Sequence, residues 1–380
     1  MMSIKKKIVF LTGTRADFGK IKSLIKITNH SKLFDVNIFV TGMHLDRKYG
    51  YTIGEIRKSG FKKLYSFNNL IFAKGMENIL ANTIKGFSKY ILKIKPDLII
   101  VHGDRIEALA GSIVGSINNI LIGHIEGGEL SGTIDESIRH AVSKMSHIHF
   151  VSNKDSAKRI VQLGEFKHSI NIIGSPDLDL MNPKDLPSIK FVKNHYKLNF
   201  NNFALAMFHP VTTEINELKK HVKIFLNSLK KSRENFILVF PNNDMGSDII
   251  IKEYDKILNN PNFKVFRSLR FEYFLSLLYH SNYIIGNSSA GVKEAPYYGV
   301  PTINIGTRQN NRSKQISIIN TDYKEKEILS AINKVGLLKQ RFNNKEKNYF
   351  GLGNSDKLFL KILQKKKIWE LSRQKEFQDF

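Results

Sequence analysis

The sequence predicts an α/β protein built from two Rossmann-like halves, on three observations. A chain of 380 residues is too long for one ordinary core and suits two domains. Short apolar runs alternate with helical patterns along both halves, which is the order that builds a parallel sheet. Two prolines and several polar residues between positions 182 and 200 indicate a connection. We therefore expect domains at 1–182 and 201–355, a linker at 183–200, and a helical tail at 356–380 that packs back on the first domain.

In the first half, residues 7–13 are a predicted strand that leads into the loop TRADFG and a helix, the usual opening of a Rossmann-like unit. No G-x-G-x-x-G motif follows, so a dinucleotide is not expected, and we predict no cofactor. Further strands are predicted at 36–41, 97–101, 120–125, 147–151 and 170–173, and helices near 54–59, at 76–94 and at 154–163.

Three acids mark the centre of this half. Asp104 follows the apolar run 97–101, and Glu126 follows the run 120–125. Ligands of open α/β sheets bind at the carboxyl ends of strands, so both acids should face that crevice. Asp135 lies at the start of a helical pattern and should face the same edge. Carboxylates held close together acquire different pKa values, which lets one site hold both a base and an acid.

The second half repeats the alternation. Its strands are predicted at 203–208, 236–240, 264–266, 283–285 and 301–305, and its helices at 214–232, 247–258, 271–280 and 290–298. Two such halves joined by a linker would leave a cleft between them.

Residues 286–291, GNSSAG, follow a predicted strand and open a helix. Small residues there leave backbone N–H groups and the hydroxyls of Ser288 and Ser289 able to hold a diphosphate. Glu294, about one turn further, could accept from ribose hydroxyls. An ordinary helix cap explains the same serines, and a solvated helix face explains the same glutamate.

Other polar residues follow predicted strands. His209 and Asn242 lie in proline-containing elbows after two successive strands of the second half. Arg15, Arg105 and Arg308 each follow a strand, where a guanidinium could clamp a phosphate or a carbonyl. A structural histidine and surface arginines are the alternatives.

Composition limits the function classes. The formal net charge of +25 favours anionic ligands, although the lysines are scattered as in a Lys-rich surface. With no cysteine, disulfides and thiolate chemistry are excluded. We expect no membrane span, no signal peptide and a cytoplasmic protein. No stacking module for nucleic acid is visible. His102, His124 and His140 could join the acids in a metal site, but no zinc or calcium motif is present, and we predict no metal.

Taken together, these motifs resemble the UDP-N-acetylglucosamine 2-epimerases, and specifically the hydrolysing branch of the sialic-acid and legionaminic-acid pathways. The resemblance spans nearly the whole chain, through TGTRADFGK, VTGMHL, VHGDRIEALA, HIEGGELSGTIDESIRH, IIGSPDLD, MFHPVTTE, FPNND, IGNSSAGVKEAP and INIGTRQNNR. The non-hydrolysing branch lacks the run ELSGTID. The resemblance implies the GT-B arrangement, in which two Rossmann-like domains face a central cleft.

By motif, the resemblance implies catalytic roles for Asp104, Glu126 and Asp135. It implies substrate contacts for a second set: Arg15, Arg105, His209, Asn242, Ser288, Ser289, Glu294 and Arg308. The chemistry it implies is elimination of UDP to 2-acetamidoglucal and addition of water to give N-acetylmannosamine. We expect a UDP-sugar as the partner and a homodimer or higher homo-oligomer.

Three rival functions remain open at this point. One is a 2-epimerase of a UDP- or GDP-linked N,N'-diacetylbacillosamine, because the motifs do not contact C4 or C6. Another is a GT-B glycosyltransferase, which would need an acceptor to release UDP. The last is a catalytically silent UDP-sugar sensor or a basic nucleic-acid binder.

Overall fold

The computed structural model describes residues 5–71, 73, 75–131, 134–309, 317–338 and 349–379. Gly132 and Thr133 of the ELSGTID run, and residues 310–312 of INIGTRQNNR, lie outside the described residues. The strands are β1 (Lys6–Thr12), β2 (Phe34–Val40), β3 (Leu64–Ser66), β4 (Leu98–His102), β5 (Leu121–Ile125), β6 (Ile148–Val151), β7 (Ile170–Ile172), β8 (Ala204–Met207), β9 (Phe236–Val239), β10 (Phe263–Phe266), β11 (Ile284–Gly286), β12 (Thr302–Ile305) and β13 (Ile318–Thr321). The helices are α1 (Arg15–His30), α2 (Ile53–Lys58), α3 (Met76–Ile94), α4 (Ile106–Ile117), α5 (Ile134–Met145), α6 (Lys154–Gln162), α7 (Ile189–Tyr196), α8 (Ile215–Ser232), α9 (Ser247–Asp255), α10 (Phe271–His280), α11 (Glu294–Tyr297), α12 (Glu325–Leu338), α13 (Ser355–Leu363) and α14 (Lys366–Trp369).

The chain divides into two compact units, and the first comprises Met1–Glu129, Asp135–Leu180 and Phe350–Phe380. Its sheet has seven strands in the order β3-β2-β1-β4-β5-β6-β7, and every pairing is parallel. Strands of such a sheet are covered on both faces, which explains why β4 and β5 are continuous apolar runs. The carboxyl ends of β1, β4 and β5 therefore lie side by side at one edge.

The C-terminal tail belongs to this first unit. Phe359 of α13 packs against Phe10 and Phe150, with ring centroids 6.2 and 4.7 Å apart. The carboxylate of Asp179 accepts from the backbone N–H groups of Ser355 and Asp356, at 2.7 and 2.9 Å, and so caps the helix. The tail is thus held by both apolar and polar contacts.

A second anchor of the tail is the carboxylate of Glu165, which is buried. It accepts from Lys375 at 2.6 Å and from Lys144 at 3.0 Å, and Nε2 of His149 lies 3.1 Å away. Burial alone would raise the pKa of Glu165, but the contacts with His149 and Lys375 lower this pKa to about 2. The carboxylate is therefore ionised at neutral pH and holds the tail electrostatically.

The second unit comprises Leu130–Ile134 and Met181–Tyr349. Its sheet has six strands in the order β10-β9-β8-β11-β12-β13, again parallel throughout. The α/β fold with two parallel sheets, predicted from the alternating pattern, is therefore confirmed. Among the residues with described placement, no helix has the length and apolar character needed to cross a membrane.

Three local predictions differ from the structure. The helix predicted over 290–298 is wrong: a 3-10 turn at Ser289–Gly291 precedes the short α11. Thr302 donates its hydroxyl to the carbonyl of Gly291, which removes that carbonyl from a helical ladder, and Pro296 lacks an N–H. The segment 183–200, predicted as a linker, contains α7 within the second unit. Strands β3 and β13 and helices α4 and α12 were not predicted.

Candidate active site

The carboxyl ends of β4 and β5 position two of the predicted acids. Gly103 follows β4 with φ +71, and Glu126 follows β5 with φ +65. A positive φ is uncommon for a residue with a side chain and is kept only where the surroundings determine it. Here the N–H of Glu126 donates to Phe150, and Gly103 donates to Ile125, at 2.9 and 3.0 Å. His124 bridges the same loops, because its Nε2 lies 2.8 Å from the carbonyl of Gly103. The two turns are therefore fixed against one another.

Arg139 of α5 is the countercharge that the three predicted acids share. It is 4% exposed, donates to the Asp104 carboxylate, and donates to the backbone carbonyl of Glu129 at 2.9 Å. Burial alone would lower the pKa of Arg139. The charges of Asp104, Glu129, Glu126 and Asp135 instead raise this pKa, so all these acids act on one guanidinium.

His102, the last residue of β4, lies between two carboxylates. Its Nδ1 is 2.7 Å from Asp17 and its Nε2 is 3.3 Å from Glu126. The other oxygen of Glu126 accepts from the hydroxyl of Ser175 at 2.5 Å. Burial alone would lower the pKa of His102, but the contacts with Asp17 and Glu126 raise it to about 10. The imidazole is therefore protonated at neutral pH.

Asp17, in the first turn of α1, extends this chain of contacts to β1. Its carboxylate accepts from the hydroxyl of Thr12 at 2.7 Å and from the N–H of Gly13 at 3.0 Å. Burial alone would raise the pKa of Asp17, but the hydrogen bond and charge of His102 lower it. His44, which contacts the Thr12 hydroxyl at 3.1 Å, has its pKa lowered by burial to about 4 and is neutral.

Two predicted substrate-binding arginines of the first unit pair with carboxylates. Arg15 donates to Glu55, and Nε of Arg105 donates to Glu107 at 3.2 Å. Glu107 is 1% exposed and fills the space beside Gly13 and Gly42, where an added Cβ would meet its side chain. These arginines are thus held near the carboxyl ends of β1 and β4.

In the second unit, Asn287 ties together the loops after β8 and β11. Its side chain accepts from the N–H of His209 at 2.7 Å and donates to the His209 carbonyl at 2.8 Å. Arg308 and Gln309 donate to the backbone carbonyl of Asn287, at 3.2 and 2.8 Å. The predicted residues His209 and Arg308 therefore meet at one loop.

The loop after β11 also carries the other residues predicted there to bind substrate. The hydroxyl of Ser288 accepts from the N–H of Ala290, so this serine caps the short turn, and Glu294 is buried at the start of α11. Gly286 precedes them with φ +131, and a Cβ there would lie 2.0 Å from the carbonyl oxygen of Met207. The backbone at the end of β11 therefore packs closely against the end of β8.

Asn242 follows the neighbouring strand β9 and is half-buried. Its backbone carbonyl accepts from the hydroxyl of Ser247, which begins α9.

The sequence pattern offered His102 only as a possible metal ligand and assigned no role to Asp17, Arg139 or Asn287. A signal existed for Arg139, which lies four residues after Asp135 and so on the same face of a helix. None existed for Asp17, because its contact with His102 spans 85 residues of sequence. Within the described part of the chain, no group of three or more His, Asp or Glu residues could hold a metal ion.

Several known proteins resemble this chain over most of its length. A family model described as UDP-N-acetylglucosamine 2-epimerase matches residues 26–364. A Neisseria meningitidis serogroup B protein named UDP-N-acetylglucosamine 2-epimerase is 45% identical over 375 residues, which are 98% of this chain and 99% of that protein. A Legionella pneumophila protein named UDP-N,N'-diacetylbacillosamine 2-epimerase (hydrolyzing) is 32% identical over 86% of this chain and 88% of its own. The crystal structure of Methanocaldococcus jannaschii UDP-GlcNAc 2-epimerase with UDP-GlcNAc and UDP has the same fold, with a TM-score of 0.80 at 20% identity over 94% of this chain and 99% of that one.

Proposed function

Because the chain belongs to the UDP-N-acetylglucosamine 2-epimerase family, we propose that it is the hydrolysing type of epimerase. It would convert UDP-N-acetylglucosamine and water into N-acetylmannosamine and UDP, which would feed sialic-acid biosynthesis. The observation that carries this proposal is the cluster of Asp104 and Glu126, which follow the adjacent strands β4 and β5, with Asp104 paired to the buried guanidinium of Arg139. Inversion at C2 needs carboxylates that remove and return a proton, and this cluster supplies a pair of them.

The proposed reaction has two steps. In the first, a carboxylate removes the proton from C2 while the bond from C1 to the phosphate oxygen breaks, and UDP leaves with the electron pair. The product is 2-acetamidoglucal, with a double bond between C1 and C2. In the second, water adds its hydroxyl to C1 and gives its other proton to a carboxylate, while a carboxylic acid returns a proton to the opposite face of C2. The sum is one sugar nucleotide and one water converted into N-acetylmannosamine and UDP.

We assign the two proton transfers to Asp104 and Glu126, and water activation or pKa tuning to Asp135. Glu126 is held on both oxygens, by Ser175 and by the protonated His102, which suits a carboxylate that must meet one carbon atom in a defined orientation. Asp104 is held by Arg139.

The proposed substrate contacts lie mostly in the second unit. Ser288 and Ser289 would bind the diphosphate, as neutral donors at a turn, and Glu294 would bind the ribose. The remaining proposed contacts to the nucleotide sugar are Arg15, Arg105, His209, Asn242 and Arg308.

N-acetylglucosamine is the proposed sugar because the relative named for it is 45% identical over nearly the whole chain, against 32% for the diacetylbacillosamine enzyme. The second relative is the one whose name includes hydrolysis, so UDP-N,N'-diacetylbacillosamine is the second candidate substrate.

The test is a product assay by NMR. The purified protein is incubated with UDP-N-acetylglucosamine in heavy water, without an acceptor. We expect UDP and free N-acetylmannosamine with deuterium at C2, because solvent exchanges with the proton carried by the carboxylic acid. UDP-N-acetylmannosamine as the product would identify a non-hydrolysing epimerase. No UDP release without an acceptor would refute the proposal. A higher kcat/KM for UDP-N,N'-diacetylbacillosamine than for UDP-N-acetylglucosamine would identify the former as the substrate.

A further inference from the structure

The contacts of His102 extend the proposed chemistry to a residue that no motif assigned. His102 is 8% exposed in its side chain, Asp17 is 12% and Glu126 is 8%, so water screens these contacts poorly. Each ring nitrogen faces a carboxylate, at 2.7 Å on the Asp17 side and 3.3 Å on the Glu126 side.

This geometry selects the charged form of the ring. A neutral imidazole has one N–H and would turn the lone pair of its other nitrogen toward a carboxylate. An imidazolium carries an N–H on both nitrogens, so Nδ1 can donate to Asp17 while Nε2 turns a positive N–H toward Glu126 at ion-pair distance. The short contact on the Asp17 side also fixes the ring plane, since Asp17 is itself held by Thr12 and Gly13.

We propose that His102 is a positioning residue, held by Asp17 as a fixed imidazolium, that orients the Glu126 carboxylate and keeps it ionised to accept a proton from the substrate. The proposal rests on the proposed function, in which Glu126 transfers a proton at C2. His102 is not a proton shuttle in this scheme, because it has no free lone pair between two carboxylates.

The other groups around this pair support the same assignment. From α5, Arg139 adds a second positive charge that acts on Glu126. From β5, His124 has its pKa lowered by burial to about 3, so it is neutral and does not compete with His102 for the carboxylate. From the turn after β2, the neutral His44 contacts the same Thr12 hydroxyl that donates to Asp17. Among the described residues, His102 and Arg139 are therefore two cations whose charges act on Glu126.

The test compares His102→Gln with a matched control, His149→Gln. Gln can still donate a hydrogen bond but carries no charge. His149 is also fully buried and contacts a glutamate, Glu165, at 3.1 Å. Because Glu165 holds the C-terminal tail and is not part of the proposed active site, the substitution of His149 should leave the pH profile unchanged. The acidic limb of the kcat/KM profile reports the ionisation of the free enzyme.

For His102→Gln, we expect that limb to move to higher pH by about 1–3 units, since removal of a nearby cation raises a carboxylate pKa. Activity should then recover in part as the pH rises above the new limb. A loss of kcat/KM by one factor at every pH would show a merely structural role and overturn the proposal. UDP release by the wild-type protein is measured first, because its absence refutes the proposed function and not the placement of His102.

A second measurement does not depend on activity or on the stability of the His102 variant. In protein labelled with ¹⁵N-histidine, we expect the ring nitrogens of His102 to keep imidazolium shifts at pH 8. We expect Asp17→Asn to convert them to neutral-imidazole shifts at that pH. Neutral shifts at pH 8 in the wild-type protein, or imidazolium shifts that persist in Asp17→Asn, would overturn the proposal.

Discussion

Arg139 provides the strongest test of the site as a charge cluster. In Arg139→Met, the methionine fills much of the space of the aliphatic part of Arg139 but carries no guanidinium. The charge that pairs with Asp104 and acts on Glu126, Glu129 and Asp135 is therefore lost. Removal of one partner of a buried pair costs about 3–5 kcal/mol, because the other charge stays buried. The side chain of Asp104 is 26% exposed, so water replaces part of the lost contact. We therefore expect the lower end of that range, a loss of about 3 kcal/mol of unfolding free energy.

The chain offers a direct readout for this loss. Its single tryptophan, Trp369, lies in the same unit as Arg139, so tryptophan fluorescence reports the unfolding of that unit. For a domain of roughly 200 residues, about 3 kcal/mol corresponds to a fall in Tm of roughly 6–12 °C. Urea unfolding at neutral pH gives the same free energy from the shift in midpoint.

Arg159→Met is the matched control. Arg159 donates to one neutral acceptor, the carbonyl of Gly128, at 3.0 Å, so its loss should cost about 1 kcal/mol. Asp104→Asn added to Arg139→Met should restore part of the stability, since it removes an unpaired charge. Equal losses for both arginine variants would refute the reasoning, because they would mean that the acids do not depend on the guanidinium of Arg139.

Three further predictions follow from the same structure. Glu126→Gln is expected to keep the wild-type circular dichroism but lose UDP release, because an amide has no basic oxygen; near-wild-type release would remove Glu126 from the chemistry. Gly286→Ala should lower the urea midpoint, since its Cβ would lie 2.0 Å from the oxygen of Met207, whereas Gly54→Ala, with nothing within 4 Å, should not; equal midpoints would contradict this. Glu165→Gln should lower the free energy of unfolding by up to about 3 kcal/mol at neutral pH, because the pKa of Glu165 in the folded protein, about 2, lies below the reference value of 4.5. This loss of stability should disappear as the pH falls from 4.5 through 2. Urea unfolding across that range measures it, and a constant cost would be evidence against the ion pairs.

The sequence predicts most of the fold because buried parallel strands are continuous apolar runs. The runs at 97–101 and 120–125 are strands β4 and β5 in the structure, and the family predicted from the motifs is confirmed. Short edge elements lack that signal. β3 has three residues, of which two are exposed, so no apolar run marks it.

The site is predictable only in part, for a physical reason. A strand end places Asp104 and Glu126 at one edge of the sheet without any knowledge of tertiary contacts. Their counterions are fixed by contacts between elements that are distant in sequence: Asp17 holds His102 across 85 residues, and Arg139 reaches Asp104 across 35. Hydrophobic periodicity does not encode such pairs, so the acids were predicted and the cations that control their ionisation were not.

The charge balance of the first unit indicates why the proposed diphosphate contacts lie in the second unit. Around β4 and β5, Asp17, Asp104 and Glu126 face His102 and Arg139, so the acids outnumber the cations even before Glu129 and Asp135 are included. A diphosphate placed among these groups would meet net negative charge and raise the pKa of every carboxylate there. The loop after β11 has no such excess, since its one carboxylate, Glu294, is accompanied by the Arg308 guanidinium, serine hydroxyls and backbone amides. A diphosphate is therefore expected to bind away from these acids, which leaves their ionisation under the control of His102 and Arg139.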